Sequence, residues 1–232
     1  ALAPLGLPVV APLVAAPIVV GTAAVSLWAL LDVRPGPVTS AELGALARRL
    51  HEGTRHLADD PGVPALDPHE AAAAQLERAR SVGATAVADL DRLSGALAHL
   101  RSEWPAAVAG VGGGVAVVHG DLHVDNAVRT PSGPVLVDLE LAGVGPPAYD
   151  VAPAVIAVRR YGAPPADLRA FLDALGDDPT DRPGFEVLVR TAELWLTAWA
   201  VGNRHLADHL DEEAERRLAA WHPGPAPTWR LH

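Results

Sequence analysis

The sequence predicts an α+β fold, in which a short β segment leads through a connector into a mostly helical body that carries a few short strands. Residues 1–31 consist of apolar pieces that are rich in β-branched residues. After residue 39, most segments repeat Ala and Leu at helical spacing. Residues 115–138 contain short apolar runs separated by a polar loop and a turn. A chain of 232 residues can bury one hydrophobic core, or one and a partial second.

The N-terminal segment is uncharged from Leu7 to Leu31, which raises the question of a membrane-spanning helix. Three prolines and Gly21 divide it into pieces of strand length, in which β-branched residues dominate. We therefore predict two or three short buried strands here and no membrane segment. The last strand is predicted at residues 24–28, and a connector follows at residues 32–37.

The remaining elements are predicted from periodicity and from start and stop signals. A cap at Thr39 or Ser40, with Glu42 in the first turn, begins a helix that stops at Gly53. Six further helices are predicted at residues 69–80, 84–99, 151–161, 165–175, 185–201 and 206–221. In the last of them, the i,i+4 pairs Glu212–Arg216 and Glu213–Arg217 suit a solvated face. Residues 110–114 are predicted to form a flexible lead, and residues 223–232 a loosely ordered tail.

The composition limits the kinds of partner. The formal charge of −10 and the pI near 5.4 argue against a nucleic-acid partner, which normally requires a basic face. The absence of cysteine excludes disulfides and thiolate metal sites and is compatible with the cytoplasm, where we expect the protein. All 18 basic residues are arginine, so the chain contains no lysine, and it contains no methionine either.

The most informative segment is the polar loop His119-Gly120-Asp121-Leu122-His123-Val124-Asp125-Asn126. It follows the apolar run at residues 115–118 and precedes a hairpin pattern that ends in Asp138. Phosphoryl transfer needs one carboxylate to accept the proton of the attacking hydroxyl and oxygen ligands to hold Mg²⁺ against the phosphates. Asp121 suits the first task, and Asn126 with Asp138 suits the second.

A longer pattern resembles a known family. The loop, Val137-Asp138-Leu139-Glu140, and Gly145-Pro146-Pro147-Ala148-Tyr149-Asp150-Val151-Ala152 are similar to the aminoglycoside phosphotransferase and choline kinase family, which has a protein-kinase-like fold. The likeness is looser at residues 7–10, 26–28 and 50–51. It implies that residues 1–31 form a partial β N-lobe with the approach to a hinge, and that residues 32–232 form a mostly helical C-lobe with the catalytic loop and metal site.

The resemblance also implies roles for individual residues. It assigns the catalytic base to Asp121, the loop ligand of the metal to Asn126, and the principal metal carboxylate to Asp138. His119 would brace the loop, and Asp150 would point back to the loop and also cap the helix that begins at Val151.

For the nucleotide, the resemblance places Val137 under the adenine ring and the backbone of Leu30 and Leu31 at the adenine edge. The implied cofactors are ATP or GTP and Mg²⁺. The implied partner is a small-molecule acceptor, for which an aminoglycoside, an amino alcohol or an amino sugar would be cationic candidates. No nucleic acid or membrane partner is implied.

Several of these residues have other interpretations. Asp121 and Asn126 are also typical of turns and caps, and Asp138 could simply end a strand. Glu140 is either a second carboxylate of the site or a surface residue. Trp195 and Trp199, one helical turn apart, form either a cation–π wall for an amine or part of the core.

Two further functions remain open. If the loop were an extended strand, His119, Asp121, His123 and Asp125 would share one face, as in a metal-dependent hydrolase. The chain could also be a catalytically dead kinase-like binding module. The family's glycine-rich loop and its strand lysine are absent, which predicts a chain that lacks the first part of its N-lobe, with weak nucleotide affinity and little or no turnover.

Overall fold

The computed structural model describes residues 6–14, 16–21, 23–224 and 227–230. The helices are α1 (Ser40–Thr54), α2 (Pro68–Val82), α3 (Val87–Val111), α4 (Ala152–Tyr161), α5 (Pro165–Leu175), α6 (Phe185–Asn203) and α7 (Asp208–Ala219). The strands are β1 (Ile18–Val20), β2 (Ala23–Val25), β3 (Ala116–Val118), β4 (Ala127–Thr130), β5 (Gly133–Leu136) and β6 (Gly143–Gly145). They form three antiparallel pairs, β1 with β2, β3 with β6, and β4 with β5. The predicted α+β class, with a helical body and short strands, is confirmed.

The N-terminal strands are less buried than the sequence predicts. Val19 and Val20 of the β1–β2 hairpin are 74% and 62% exposed, because strands of three residues pair only with each other here. Val10, in contrast, is buried, and its backbone N–H donates to the carbonyl oxygen of Leu136 at the end of β5. In the part of the chain that the structure describes, no helix is long and apolar enough to cross a membrane.

Helix α1 follows its sequence signals closely. The Thr39 hydroxyl accepts a hydrogen bond from the N–H of Glu42, and the Glu42 carboxylate accepts one from the N–H of Thr39, which completes a capping box. The apolar stripe of α1 is buried against α5. At Gly44 a Cβ atom would lie 2.2 Å from the carbonyl oxygen of Phe171, so the close approach of the two helices requires glycine.

Helix α3 is longer than predicted, because it continues through Pro105 to Val111. A proline inside a helix removes one hydrogen bond and normally kinks or ends the helix. Ala107 and Val111 beyond it are each 1% exposed, and Gly110 lies against the backbone of Pro183. Packing of this last part of α3 therefore outweighs the local cost, and the predicted lead into β3 lies outside the helix only from Gly112 onward.

The C-terminal region also differs from the prediction. Glu213 and Arg217 of α7 are 1% and 6% exposed, so their pair is buried rather than solvated. The tail is anchored at Trp229, since this residue is 2% exposed and its backbone N–H donates to the carbonyl oxygen of Arg160. Helix α6 lies at the centre of the body and contacts α2, α3, α4 and α7.

Candidate active site

The polar loop between β3 and β4 is not a strand, and it ends in a 3-10 turn at Val124–Asn126. Gly120 has a φ of 85°, and a Cβ atom there would lie 2.5 Å from the carbonyl oxygen of Leu141. Only glycine combines this left-handed conformation with so close a backbone neighbour. The local sequence therefore bends the loop sharply just before Asp121.

The carboxylate of Asp150 stabilises this bend through hydrogen bonds. It accepts hydrogen bonds from the N–H groups of His119 at 2.9 Å and Gly120 at 3.0 Å, and it lies 2.7 Å from Nε2 of His51. Burial opposes the ionisation of Asp150, but the hydrogen bond and charge of His51, together with His119, hold its pKa below the usual aspartate range. The side chain therefore points back to the loop. It does not cap α4, whose first residues receive no side-chain hydrogen bond.

His119 joins the loop to the segment that carries Asp138. Its Nε2 lies 2.9 Å from the carbonyl oxygen of Val137, and its Nδ1 accepts a hydrogen bond from the N–H of Asp121 at 3.3 Å. These partners fix the neutral tautomer with the proton on Nε2. The ring is completely buried, so its position supports the loop and leaves no face for a ligand.

Asn126 presents an oxygen atom to the same place. Its side-chain Nδ2 donates to the backbone carbonyl oxygen of Asp121 at 2.9 Å, and its backbone carbonyl oxygen accepts from the N–H of Val137. The first of these bonds orients the side-chain amide. Among the residues that the structure describes, nothing donates to Oδ1 of Asn126, which remains able to accept or to ligate.

Asp138 has a φ of 59°, the one positive value outside glycine in the described ranges. Left-handed backbone at a residue other than glycine costs energy and is often found at functional sites. The exposed carboxylates of Asp138 and Glu140 take part in no hydrogen bond or ion pair with any residue that the structure describes. The turn therefore presents two uncompensated carboxylates.

The electrostatics show that these carboxylates lie near Asp121. Burial raises the pKa of Asp121, and the charges of Asp138 and Asp150 raise it further against the opposing charge of His123. Partial burial and the charges of Asp138 and Asp121 likewise raise the pKa of Glu140. A cluster of acids in which neighbouring charges raise the pKa values of Asp121 and Glu140 favours the binding of a cation.

These groups lie in a cleft of about 880 Å³. One part of the cleft is lined by Asp121, Asn126, Asp138 and Glu140. Much of the remainder is lined by residues of α4, α5, α6 and α7. His123 also lines the cleft, with its Nε2 3.8 Å from Oδ2 of Asp121.

Both tryptophans of α6 reach the cleft, although Trp195 is only 7% exposed and belongs mainly to the core, whereas Trp199 is 39% exposed. The predicted adenine contacts Leu30, Leu31 and Val137 are not among the residues that line the cleft. Leu30 is completely exposed.

The loop geometry contradicts the metal-hydrolase interpretation. His119 is buried and bound to Val137, while Asp125 is exposed on the 3-10 turn, so the four alternating residues share no common face. In residues 6–14, 16–21, 23–224 and 227–230, no group of three or more histidine or acidic side chains is placed to hold a metal by itself.

Sequence reasoning missed two parts of the site. His51 appeared only as part of a helix, although it lies one turn after Ala47 on the apolar side of α1, where a polar residue signals a buried partner. Tyr161 and Arg217 line the cleft, but no local pattern distinguishes them from ordinary helix residues.

Comparison with solved structures shows which fold this is. A choline/ethanolamine kinase family protein from Mesorhizobium loti matches 96% of this chain and 77% of its own, with 18% identity and a TM-score of 0.58. Choline kinase LicA from Streptococcus pneumoniae matches 94% of this chain and 77% of its own, with 15% identity and a TM-score of 0.57. The amicoumacin kinase hAmiN matches 99% and 76%, with 14% identity and a TM-score of 0.63. At these identities, the likeness establishes a kinase-like fold.

Comparison with protein families gives the more specific result. No curated protein gave a significant match. The model of the phosphotransferase enzyme family (APH) matches residues 1–188, which is most of the 232 residues. The kinase-like fold, the loop held by Asp150 and this match agree, and the chain therefore belongs to the phosphotransferase enzyme family.

Proposed function

We propose that this protein is a small-molecule kinase that transfers the γ-phosphoryl group of ATP or GTP to a hydroxyl group of its acceptor. The observation that carries the proposal is the meeting of Asp121, Asn126 and Asp138 in one part of a large cleft, on a loop that buried hydrogen bonds hold in place. Membership of the phosphotransferase enzyme family supports the same reaction class.

In the proposed reaction, Asp121 orients the acceptor hydroxyl and accepts its proton. The new bond forms between the hydroxyl oxygen and the γ-phosphorus while the bond from that phosphorus to the bridging oxygen breaks, and the nucleoside diphosphate leaves. Burial and the neighbouring carboxylates, which raise the pKa of Asp121, make it a stronger base than an ordinary aspartate.

Asn126 and Asp138 fit a magnesium ion. Mg²⁺ prefers a few hard oxygen donors and is commonly held by one or two carboxylates together with substrate phosphates, not by an all-protein cage. The available Oδ1 of Asn126 and the unpaired carboxylate of Asp138 supply such donors, with Glu140 as a further candidate. When bound, the ion would neutralise charge on the phosphates. Asn126 and Asp138 would orient it through a loop and a turn that His119 holds together.

The nucleotide is proposed to bind beside Val137. Val137 follows the strand that pairs with residues 8–10, and we propose it with Leu30 and Leu31 as the adenine contacts. The chain has no lysine to hold the phosphates, so we expect weak nucleotide affinity and slow turnover for this chain. We propose the cytoplasm as its location, because nucleoside triphosphates are available there.

The acceptor is proposed to carry an amine as well as a hydroxyl group. Among the residues that the structure describes, Asp138 and Glu140 take part in no ion pair and Asp121 has one only with His123, at 3.8 Å, so the reacting end of the cleft favours a positively charged substrate. Trp199 is exposed in the cleft and could face such an amine.

Transfer of radiolabelled phosphate tests the proposal. The chain at micromolar concentration is mixed with Mg²⁺, millimolar ATP or GTP, and in turn kanamycin, choline, glucosamine and erythromycin. We expect slow labelling of at least one acceptor, which requires Mg²⁺ and is absent in the Asp121→Asn variant. Labelling that persists at the same rate in this variant would contradict the assigned base.

A catalytically dead binding module is the second candidate, and the absence of lysine favours it. It predicts that the protein binds one of these acceptors without ever transferring phosphate to it. Calorimetry of acceptor binding, performed beside the transfer assay, separates the two functions.

A further inference from the structure

A second polar network lies in the cleft, on the helices that face the catalytic loop. The Glu213 carboxylate accepts a hydrogen bond from Nε of Arg217 at 2.8 Å, and Nη1 of Arg217 donates to the carbonyl oxygen of Leu196 at 2.9 Å. The N–H of Arg230 in the C-terminal tail donates to both carboxylate oxygens of Glu213. With so many fixed partners, the Arg217 guanidinium has a single orientation.

The third contact of Arg217 determines the role of Tyr161. Nη2 of Arg217 donates to the Tyr161 hydroxyl oxygen at 3.0 Å. A guanidinium can only donate, so the tyrosine oxygen is the acceptor in this bond, and its own proton must point elsewhere. No acceptor for that proton exists among the described residues, and both Tyr161 and Arg217 line the cleft.

The tyrosine ring is held as firmly as its hydroxyl group. Trp229 packs edge-on against it at 5.8 Å between ring centroids, and the Arg217 guanidinium lies beside both aromatic groups, 6.0 Å and 5.3 Å from their centroids. Burial raises the pKa of Tyr161 against the opposing charge of Arg217, and the charges of Glu213 and Asp121 add to the increase, so the hydroxyl stays protonated and lies within electrostatic reach of the proposed base.

Beside this polar network, the α4–α7 side of the cleft has an extensive apolar surface. Its apolar walls include Val158, Leu168, Leu196, Trp199 and Leu210. Such a surface favours a substrate with a substantial apolar body, because a polycation would lose hydration where it covers these side chains.

We propose that the Tyr161 hydroxyl, aimed by Arg217, donates a hydrogen bond to an oxygen of the acceptor substrate, and that this substrate is an amphiphilic alcohol whose apolar body lies on the α4–α7 side of the cleft. The proposal rests on the proposed kinase function and narrows its substrate class. Tyr161 is therefore a binding residue that sets specificity, and Arg217 is a positioning residue that acts through it.

Binding without nucleotide tests this proposal separately from catalysis. The probe is erythromycin, which combines hydroxyl, ester and ketone oxygens and one amine with an apolar ring, and kanamycin is the polycationic comparison. Affinities are measured by calorimetry for the unmodified protein and for Tyr161→Phe. We expect erythromycin to bind more tightly than kanamycin, and Tyr161→Phe to weaken erythromycin alone by about tenfold, the value of one hydrogen bond.

The chain offers a matched control in its other tyrosine. Tyr149 is 1% exposed, its hydroxyl group has no hydrogen-bond partner among the residues that the structure describes, and it does not line the cleft. Tyr149→Phe should leave erythromycin affinity within about twofold, because it removes the same group from a place without a ligand.

Three results would overturn the proposal. They are the absence of erythromycin binding to the unmodified protein, equal affinities before and after Tyr161→Phe, and equal losses in the two tyrosine variants. If the binding results hold but no acceptor is phosphorylated under the transfer conditions, the kinase function fails and the binding role of Tyr161 stands.

Discussion

Nε2 of His51 lies 2.7 Å from Oδ2 of Asp150, and the two side chains are 5% and 1% exposed. The contact joins residues that are 99 positions apart and links α1 to the bend of the catalytic loop. Because the same carboxylate also accepts the N–H groups of His119 and Gly120, the first helix of the body helps to determine where Asp121 stands. A buried charge with three donors is costly to disturb.

We predict that Asp150→Asn lowers the free energy of unfolding by about 3–5 kcal/mol at pH 7, the usual cost of breaking a buried pair. Asn can accept from one loop N–H, but its amide nitrogen meets the other N–H, and the carboxylate oxygen that contacts His51 is lost. Urea denaturation monitored by tryptophan fluorescence measures the change.

The free energy of unfolding should also depend on pH in a definite direction. The folded-state pKa of Asp150 lies below the unfolded value, so its stabilisation is fully present above the ordinary aspartate pKa of 3.8 and is lost as the pH falls through the lower folded value. The difference between the two proteins should therefore shrink as the pH falls below 3.8. A difference that does not shrink in this acidic range would contradict the stabilising role of the ionised Asp150.

Two substitutions of Asp138 distinguish the effect of its left-handed backbone on stability from the effect of its carboxylate on metal binding. Asn is tolerated in left-handed backbone almost as well as Asp, whereas a β-branched residue is not, and Asp138 has a φ of 59°. We predict that Asp138→Asn changes the free energy of unfolding by less than about 0.5 kcal/mol, whereas Asp138→Val costs about 1–3 kcal/mol.

Both Asp138 variants should lose magnesium-dependent transfer, because both lack the carboxylate. The transfer rate as a function of Mg²⁺ concentration is the measurement, with the unfolding curves as the control for folding. Unchanged magnesium dependence in Asp138→Asn would show that this side chain is not a ligand.

The C-terminal tail is predicted to contribute to stability through Trp229. Its side chain is 2% exposed, and it lies against Tyr161 and the guanidinium groups of Arg160 and Arg217. Trp229→Ala should cost about 3–5 kcal/mol, as for other buried aromatic residues. Trp229→Phe should cost much less, since it keeps an aromatic ring in place and removes an indole N–H that has no hydrogen-bond partner among the described residues. Chemical denaturation of both variants tests this, and equal losses would show that the aromatic packing is unimportant.

The sequence was sufficient to predict the elements that depend on local signals. The capping box at Thr39 and Glu42 begins α1 where expected, and α5 has the predicted bounds, Pro165–Leu175. The loop at residues 119–126 could also be located, because its glycine, acidic residues and flanking strands are contiguous in the chain. Contiguous patterns of this kind need no knowledge of tertiary packing.

The features that could not be predicted depend on distant partners. Helix α3 passes Pro105 because its end packs against residues 183 and 184. Glu213 and Arg217 have the spacing of a solvated pair, and only the packing of the tail over α7 shows that they are buried. The direction of the Tyr161 proton follows from Arg217, which lies 56 positions away.

The most direct test of the central claim is the rate of phosphate transfer at saturating acceptor, measured from acidic to neutral pH in the unmodified protein and in Asp121→Asn. The account predicts a rate that declines on the acidic side at a pH above the ordinary aspartate pKa of 3.8, because the pKa of Asp121 is raised. It also predicts a loss of about 10²–10⁴-fold in Asp121→Asn, with no loss of folding stability. A variant that retains transfer within about tenfold, with the same pH profile, would contradict the assignment of Asp121 as the base that accepts the proton.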